Sequence, residues 1–225
     1  MPILVTNFTQ MLKAREPELL DREDGHWYKT KFDQIYPSIS TILSATAPEH
    51  KKNGLATWKE NEPAHEYITK QAQDIGTQSH KIIEDYLSSN LAMEEFDLLP
   101  IAHFNNLKPF LENISNVTSI EQRMYSDKLK VAGTSDLIAE YNGEISIIDY
   151  KTKRKPQVDE FMYEYYLQTT CYAQMFKEVT GQKINQIVIL VSSEKNTRQE
   201  FIKTCDSYIE PMMERVEKYY LNSLE

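Results

Sequence analysis

The stretch VAGTSDLIAEYNGEISIIDYKTKRK, residues 131–155, decides how the chain is read. Asn142-Gly143 at its centre is the strongest hairpin signal in the sequence, because a tight two-residue hairpin turn favours residues that tolerate positive φ. On either side, residues 131–141 and 144–150 read as paired strands. Moving outward, residues 117–125 read as the strand before them. Residues 158–177 form a tyrosine-rich helix, and the apolar run INQIVILVS (184–192) suits a buried strand. Residues 197–204 follow as an edge strand and residues 206–221 as a closing helix. Upstream, Pro37-Ser38 signals the start of a helix over 39–45. Residues 55–73 and 78–88 read as two helices punctuated by Gly76-Thr77. Residues 91–113 read as a third, with an acidic start at Glu94, Glu95 and Asp97 that suits a helix dipole. Asp24-Gly25 suggests a turn before a strand at 26–32, and the rest of the first 36 residues carry no clear pattern. The order is helices, then β-β-β-α-β, then a helix. That predicts one α/β domain over residues 1–225, with a mainly helical part (1–115) and an α/β core (116–225).

Composition narrows the function. The chain has 225 residues with 25 Lys+Arg against 34 Asp+Glu, a formal charge of -9. A small basic protein that coats nucleic acid by bulk charge is excluded. An enzyme with a local nucleic-acid site is not, since residues 128–155 hold six basic residues against four acids. Two cysteines, Cys171 and Cys205, cannot build a disulfide framework, an iron–sulfur cluster or a cysteine-based zinc site. A reducing, intracellular setting is expected. No run is long and apolar enough for a membrane span, and MPILVTNFTQML does not read as a secretory signal.

Chemistry concentrates at the ends of the predicted strands. Residues i and i+2 of a strand share a face, so Asp149 and Lys151 project together, and Asp136 reaches them from the neighbouring strand. Carboxylates converging at the end of a buried strand are costly without a cation. A hard divalent ion such as Mg²⁺ fits, and the Tyr150 carbonyl between the two side chains could join it. The Lys151 ammonium would orient water and stabilise charge growing on a phosphate. Asp plus Asp-x-Lys is thus a kit for metal-assisted phosphodiester hydrolysis. Alone, however, Asp-x-Lys on a strand edge is more often a surface salt bridge. Three further features surround it. His80 and Glu84 share a helix face at i, i+4. Glu121 lies in the preceding strand, and Gln168 and Tyr172 share a face of the later helix. Each alone is more often structural than functional.

Taken in order, GTQSH (76–80), Glu121, GTSD (133–136), DYK (149–151) and QTTCY (168–172) resemble the PD-(D/E)xK nuclease superfamily in its RecB-like branch. Upstream, YPSISTILSATAP (36–48) and the helix around Trp58-Lys59 are similar to the family that includes the mitochondrial genome maintenance exonuclease and its phage and bacterial relatives. The resemblance implies a restriction-endonuclease-like mixed sheet flanked by helices. It implies one or two Mg²⁺ or Mn²⁺ ions on His80, Asp136, Asp149 and the Tyr150 carbonyl, with Glu84 and Glu121 in support. Lys151 would be the catalytic lysine, with Gln168 and Tyr172 orienting it or the DNA. Ser38, Thr41, Lys153 and Arg154 would be DNA contacts.

The function expected on this basis is a metal-dependent exonuclease acting on single-stranded DNA or DNA ends. A monomer working beside replication or recombination proteins is favoured. A structure-specific endonuclease on the same fold and an inactive DNA-binding subunit stay open. Trp58, Tyr67 and Phe104 could stack on bases, although a core role is the stronger expectation.

Overall fold

The structure is a computed structural model and describes residues 7–223. The expectation that no secretory signal opens the chain falls partly on residues 1–6, outside the described residues.

The predicted hairpin is present. β5 (Val131–Tyr141) and β6 (Glu144–Lys153) pair antiparallel from Tyr141↔Glu144 to Leu137↔Ile148. Asn142 at φ 53° and Gly143 at φ 84° make the turn that this register needs. β4 (Ile114–Ser126) precedes them, and β7 (Gln186–Ser193) and β8 (Arg198–Thr204) complete a five-stranded sheet in the order β4-β5-β6-β7-β8. All neighbours are antiparallel except β6 and β7, which run parallel. A parallel pair needs a crossover. α6 (Tyr163–Thr180) supplies it and ends at Gly181, whose φ of 76° closes the helix in the left-handed conformation. β7 is buried on both faces, which explains its unbroken apolar run. β8 alternates between exposed and half-buried residues, and its charges Arg198, Glu200 and Lys203 guard the sheet edge.

Side-chain alternation divides the core in two. Ile138, Ile147, Ile187 and Ile189 face α2 (Ile39–Ala45), α6 and α7 (Ile209–Asn222). Leu137, Ile148, Val188 and Leu190 face α4 (His65–Leu87) and α5 (Leu98–Leu111). The chain therefore crosses from one face of the sheet to the other between α2 and the second half of α4. α3 (Glu49–Asn61) makes that crossing with no buried residue of its own.

Four sequence expectations change. First, Gly76-Thr77 does not punctuate. α4 runs through it, and the real break is Glu62–Ala64 around Pro63. A glycine costs a helix roughly 1 kcal/mol relative to alanine, too little to interrupt a helix held by Ile82, Ile83 and Leu87 in the core. Second, the acidic residues Glu94, Glu95 and Asp97 stand before α5 and not within it. Third, the first part is less helical than expected. After α1 (Asn7–Ala14), β1 (Glu18–Arg22), β2 (Gly25–Lys29) and β3 (Ile35–Pro37) form a three-stranded antiparallel sheet. It docks on β5 through a bridge from Ser38 to Ala132 and a 2.8 Å hydrogen bond between Tyr28 Oη and Thr134 Oγ1. Fourth, of the three aromatics only Phe104 joins the core, at 1% exposure, whereas Trp58 is 36% and Tyr67 68% exposed.

α5 is fastened to the sheet by a buried polar cluster. His103 Nδ1 lies 2.9 Å from Ser192 Oγ, and Asn106 Nδ2 donates to Ser192 Oγ and the Thr197 carbonyl. Burial lowers the pKa of His103 below its ordinary value, despite the opposing pull of Glu194. The folded state then binds fewer protons than the unfolded state below about pH 6.5. His103 should therefore contribute stability that is complete above that pH and is lost as pH falls through the folded pKa. Urea midpoints from pH 7.5 to 5 are expected to fall in the native protein and to fall less in His103→Gln.

Candidate active site

The site forms where β5 and β6 separate. Their pairing ends at Leu137↔Ile148, while β6 continues beside β7 as far as Lys153↔Ser193. At this fork a side chain replaces the ladder: Asp136 Oδ2 accepts a 3.0 Å hydrogen bond from the Tyr150 N–H. The fork thus presents Asp136 from β5 and Asp149, the Tyr150 backbone and Lys151 from β6.

His80 enters from α4. Its Nε2 lies 2.9 Å from the Tyr150 carbonyl oxygen, which can only accept, so Nε2 carries the proton. The lone pair is then on Nδ1, which faces Asp136 Oδ2 at 3.5 Å and Glu121 Oε1 at 4.0 Å. One ligand atom each from His80, Glu121 and Asp136 lie within 4.8 Å of one another. Glu121 reaches this group by an unusual route. It sits in β4 at φ 49°, the left-handed region, between residues that pair normally with β5. Such backbone costs roughly 1–3 kcal/mol and persists only where its surroundings hold it.

Asp149 and Lys151 form a second group. Lys151 Nζ is 2.6 Å from Asp149 Oδ2, and Asp149 is 2% exposed. The surface-salt-bridge alternative is therefore set aside, because this pair is inside the protein. Burial would lower the pKa of Lys151, but Asp149 and Asp136 outweigh it and hold the ammonium well above its ordinary value. Burial pushes the Asp149 carboxyl up to about 6, with Asp136 adding to the shift and Lys151 opposing it. Glu121 is pushed up to about 8 by the loss of surrounding water, and then by Asp136, Glu84 and Asp149. Three carboxyl groups in mutual repulsion, with one lysine among them, make a site short of positive charge. Carboxylates and an imidazole fit a divalent cation of the Mg²⁺ or Mn²⁺ class. The chain thus offers an acidic metal-binding group.

The remaining predicted residues lie around this centre. Glu84, 3.3 Å from Lys81, lines a 430 Å³ cleft with His80 and Glu121. Gln168 Nε2 donates to Tyr172 Oη at 2.9 Å. Tyr172 lies against Gly133, where an added Cβ would come within 2.6 Å of its ring, so glycine is required there by close approach. Neither residue has a hydrogen bond to Lys151 among the described residues. Ser38 caps α2 by accepting from the Thr41 N–H, and Thr41 Oγ1 accepts from the His26 N–H. Lys153 is half-buried and Arg154 exposed at the end of β6. The sequence reading missed Tyr165. Its ring is 4.9 Å from Lys151 Nζ, and its hydroxyl accepts from Lys153 Nζ at 2.5 Å, so one tyrosine contacts both ammonium groups. One tyrosine among the many in this helix gave no signal in sequence.

The mitochondrial genome maintenance exonuclease 1 of Mus musculus is 30% identical over 128 residues, 54% of this chain and 38% of that protein. The protein of that name from Xenopus tropicalis is 27% identical over 164 residues, 70% of this chain and 45% of its own length. The chain thus spans less than half the length of these curated relatives. A crystal structure from Eubacterium rectale, provisionally described as an exonuclease, aligns over 68% of this chain and 66% of that one, with TM-score 0.48 and 15% identity. Among the described residues no helix is long and apolar enough to cross a membrane. The family model for the PD-(D/E)XK nuclease superfamily matches residues 55–222, well over half of the sequence, and the chain belongs to that superfamily.

Proposed function

We propose that this chain is a Mg²⁺- or Mn²⁺-dependent exodeoxyribonuclease that works on single-stranded DNA or DNA ends, with residues 1–225 as one nuclease domain. The observation that carries this reading is the fork itself. It gathers His80, Glu121 and Asp136 beside a buried Asp149–Lys151 pair. His80, Glu121 and Asp136 would hold the cation, with Asp149 next to them, while the Tyr150 carbonyl is taken by the His80 N–H and stands outside that group. A bound cation supplies Lewis-acid polarisation of the scissile phosphate.

The chain's own groups do the rest. Lys151 is held as an ammonium, so it donates hydrogen bonds to the attacking water or the phosphate and does not take the water's proton. Asp149 and the Tyr165 ring fix that ammonium in place. The His80 N–H holds the Tyr150 carbonyl, which aligns β6 with α4. The relatives carry the name exonuclease, which supports end-directed cleavage, and "genome maintenance" fits partners among replication or recombination proteins.

The test is cleavage of end-labelled single-stranded, double-stranded and circular single-stranded DNA with Mg²⁺, Mn²⁺ or EDTA. Linear strands should shorten progressively, circles should survive, and EDTA should stop the reaction. Discrete products from circles would instead establish an endonuclease. Binding without turnover under every metal would establish an inactive DNA-binding subunit.

A further inference from the structure

The metal-binding group occupies one side of Glu121. On its other side lies a second cavity of 340 Å³, bounded by both sheets. The five-stranded sheet contributes Arg123 and Thr134, and α6 contributes Gln168 and Tyr172. The far wall is built by the small sheet and the start of α2, through His26, Tyr28, Ser38 and Ser40. This is the part of the chain whose role the sequence did not reveal.

Arg123 is the distinctive group in this cavity. It is half-buried on β4, two residues from Glu121. Among the described residues the other half-buried arginines have partners. Arg15 pairs with Asp127 at 2.9 Å, and Arg215 with Glu164 at 3.1 Å. Among the described residues Arg123 makes no ion pair and no side-chain hydrogen bond. Its charge is felt by Tyr28, whose hydroxyl it makes more acidic against the larger, opposing effect of burial. Around it stand hydroxyl and amide groups of Ser38, Ser40, Thr134 and Gln168. A guanidinium carries five N–H donors in a fixed fork that matches phosphate oxygens, and hydroxyls complete such a shell. Among the described residues Glu121 is the one acid in the lining, and it faces the metal-binding group from the boundary between the two cavities.

We propose that Arg123 and the cavity behind it form a phosphate-binding subsite that holds the nucleic-acid strand one side of the scissile bond, with the small β1–β3 sheet as its wall. This rests on the nuclease reading above and adds to it a specific anchor. The phosphate could be internal to the strand or be its terminal group.

The experiment uses the full chain and compares native protein with Arg123→Ala and Arg123→Lys. Binding of a fluorescein-labelled single-stranded oligonucleotide is followed by anisotropy in EDTA over a range of salt. Cleavage is followed with Mn²⁺ on the same oligonucleotide. Arg123→Ala should weaken binding about tenfold and reduce the slope of log affinity against log salt by about 0.7, the value of one phosphate contact on a single strand. KM should rise by a similar factor with kcat within about twofold, as expected when binding common to ground and transition states is lost. Arg123→Lys should keep the salt slope and recover part of the affinity. An oligonucleotide with a 5′-phosphate, one with a 3′-phosphate and one with neither separate the sources. Loss of discrimination among them in Arg123→Ala marks a terminal phosphate, and an equal loss for all three marks an internal one. Native cleavage with unchanged affinity, salt slope and KM in a folded Arg123→Ala overturns the subsite and leaves the nuclease reading intact. Absence of any binding or cleavage by the native chain overturns both.

Discussion

Lys151→Met is expected to lower DNA cleavage at least about 100-fold, the scale for removing one donor aimed at developing charge. The same substitution should also destabilise the protein, for a separable reason. Asp149 is 2% exposed, and the Lys151 ammonium 2.6 Å away is its close cation. Removing one partner of a buried pair leaves a charge in low dielectric and costs about 3–5 kcal/mol. The carboxyl, already pushed up to about 6, would respond by holding its proton to still higher pH. In the variant, folding then favours the protonated acid. The stability deficit should be small at pH 5 and grow as pH rises toward 8. Asp149→Asn combined with Lys151→Met removes both charges and should recover most of the lost stability while recovering no activity. Thermal unfolding at several pH values and end-labelled cleavage check both halves. A Lys151→Met protein that cleaves within a few-fold of native would remove the lysine from the mechanism.

The hairpin that presents this pair was legible because three local signals agreed. Asn142-Gly143 fixed the turn, alternation fixed the faces, and i, i+2 spacing fixed which side chains project together. What surrounds it was less legible for physical reasons. Glu121 stands opposite Asp136 in the β4–β5 register, and its left-handed conformation leaves no trace in periodicity, so only its place in the order of motifs singled it out. Tyr165 is separated from Lys151 by a change of element, so its position depends on how α6 crosses back over the fork. The break at Pro63 was misplaced to Gly76 because a single glycine signals flexibility locally, while its helix is held by tertiary contacts further along. Of the small sheet only the strand after the Asp24-Gly25 turn was legible, because strands of five, five and three residues carry too few alternations to separate from loop.

The divided core also explains why the site lies at the fork. β5 can follow β6 only while both bury their faces against helices. Past Leu137↔Ile148 the sequence places Asp136 and Asp149 opposite one another, and two carboxylates cannot share a dry ladder position. The strands part, Asp136 takes the Tyr150 N–H, and Asp149 turns to Lys151. Polar residues at the end of an apolar strand thus set both where the pairing stops and where chemistry can begin.

Asp136 does both jobs, and two substitutions separate them. Asp136→Ala removes the acceptor for the Tyr150 N–H and should cost about 1–3 kcal/mol of stability, the price of an unpaired buried donor. Asp136→Asn keeps an acceptor oxygen at that position and should unfold near the native midpoint. Both should cleave DNA at least about 100-fold more slowly, because neither offers the anionic oxygen that completes the group with His80 and Glu121. Proton release on Mn²⁺ uptake gives a second readout. Glu121, pushed up to about 8, is largely protonated at pH 7 in the metal-free protein and must ionise to bind a cation. Native protein should therefore release about one proton more at pH 7 than at pH 9, seen as a dependence of calorimetric heat on buffer ionisation enthalpy. Asp136 is the second cause of the Glu121 shift after burial, so in Asp136→Asn that excess should shrink as the Glu121 pKa falls. Equal Mn²⁺ affinity and equal proton release in native and Asp136→Asn proteins would place the cation elsewhere and leave Asp136 as a purely structural clasp between β5 and β6.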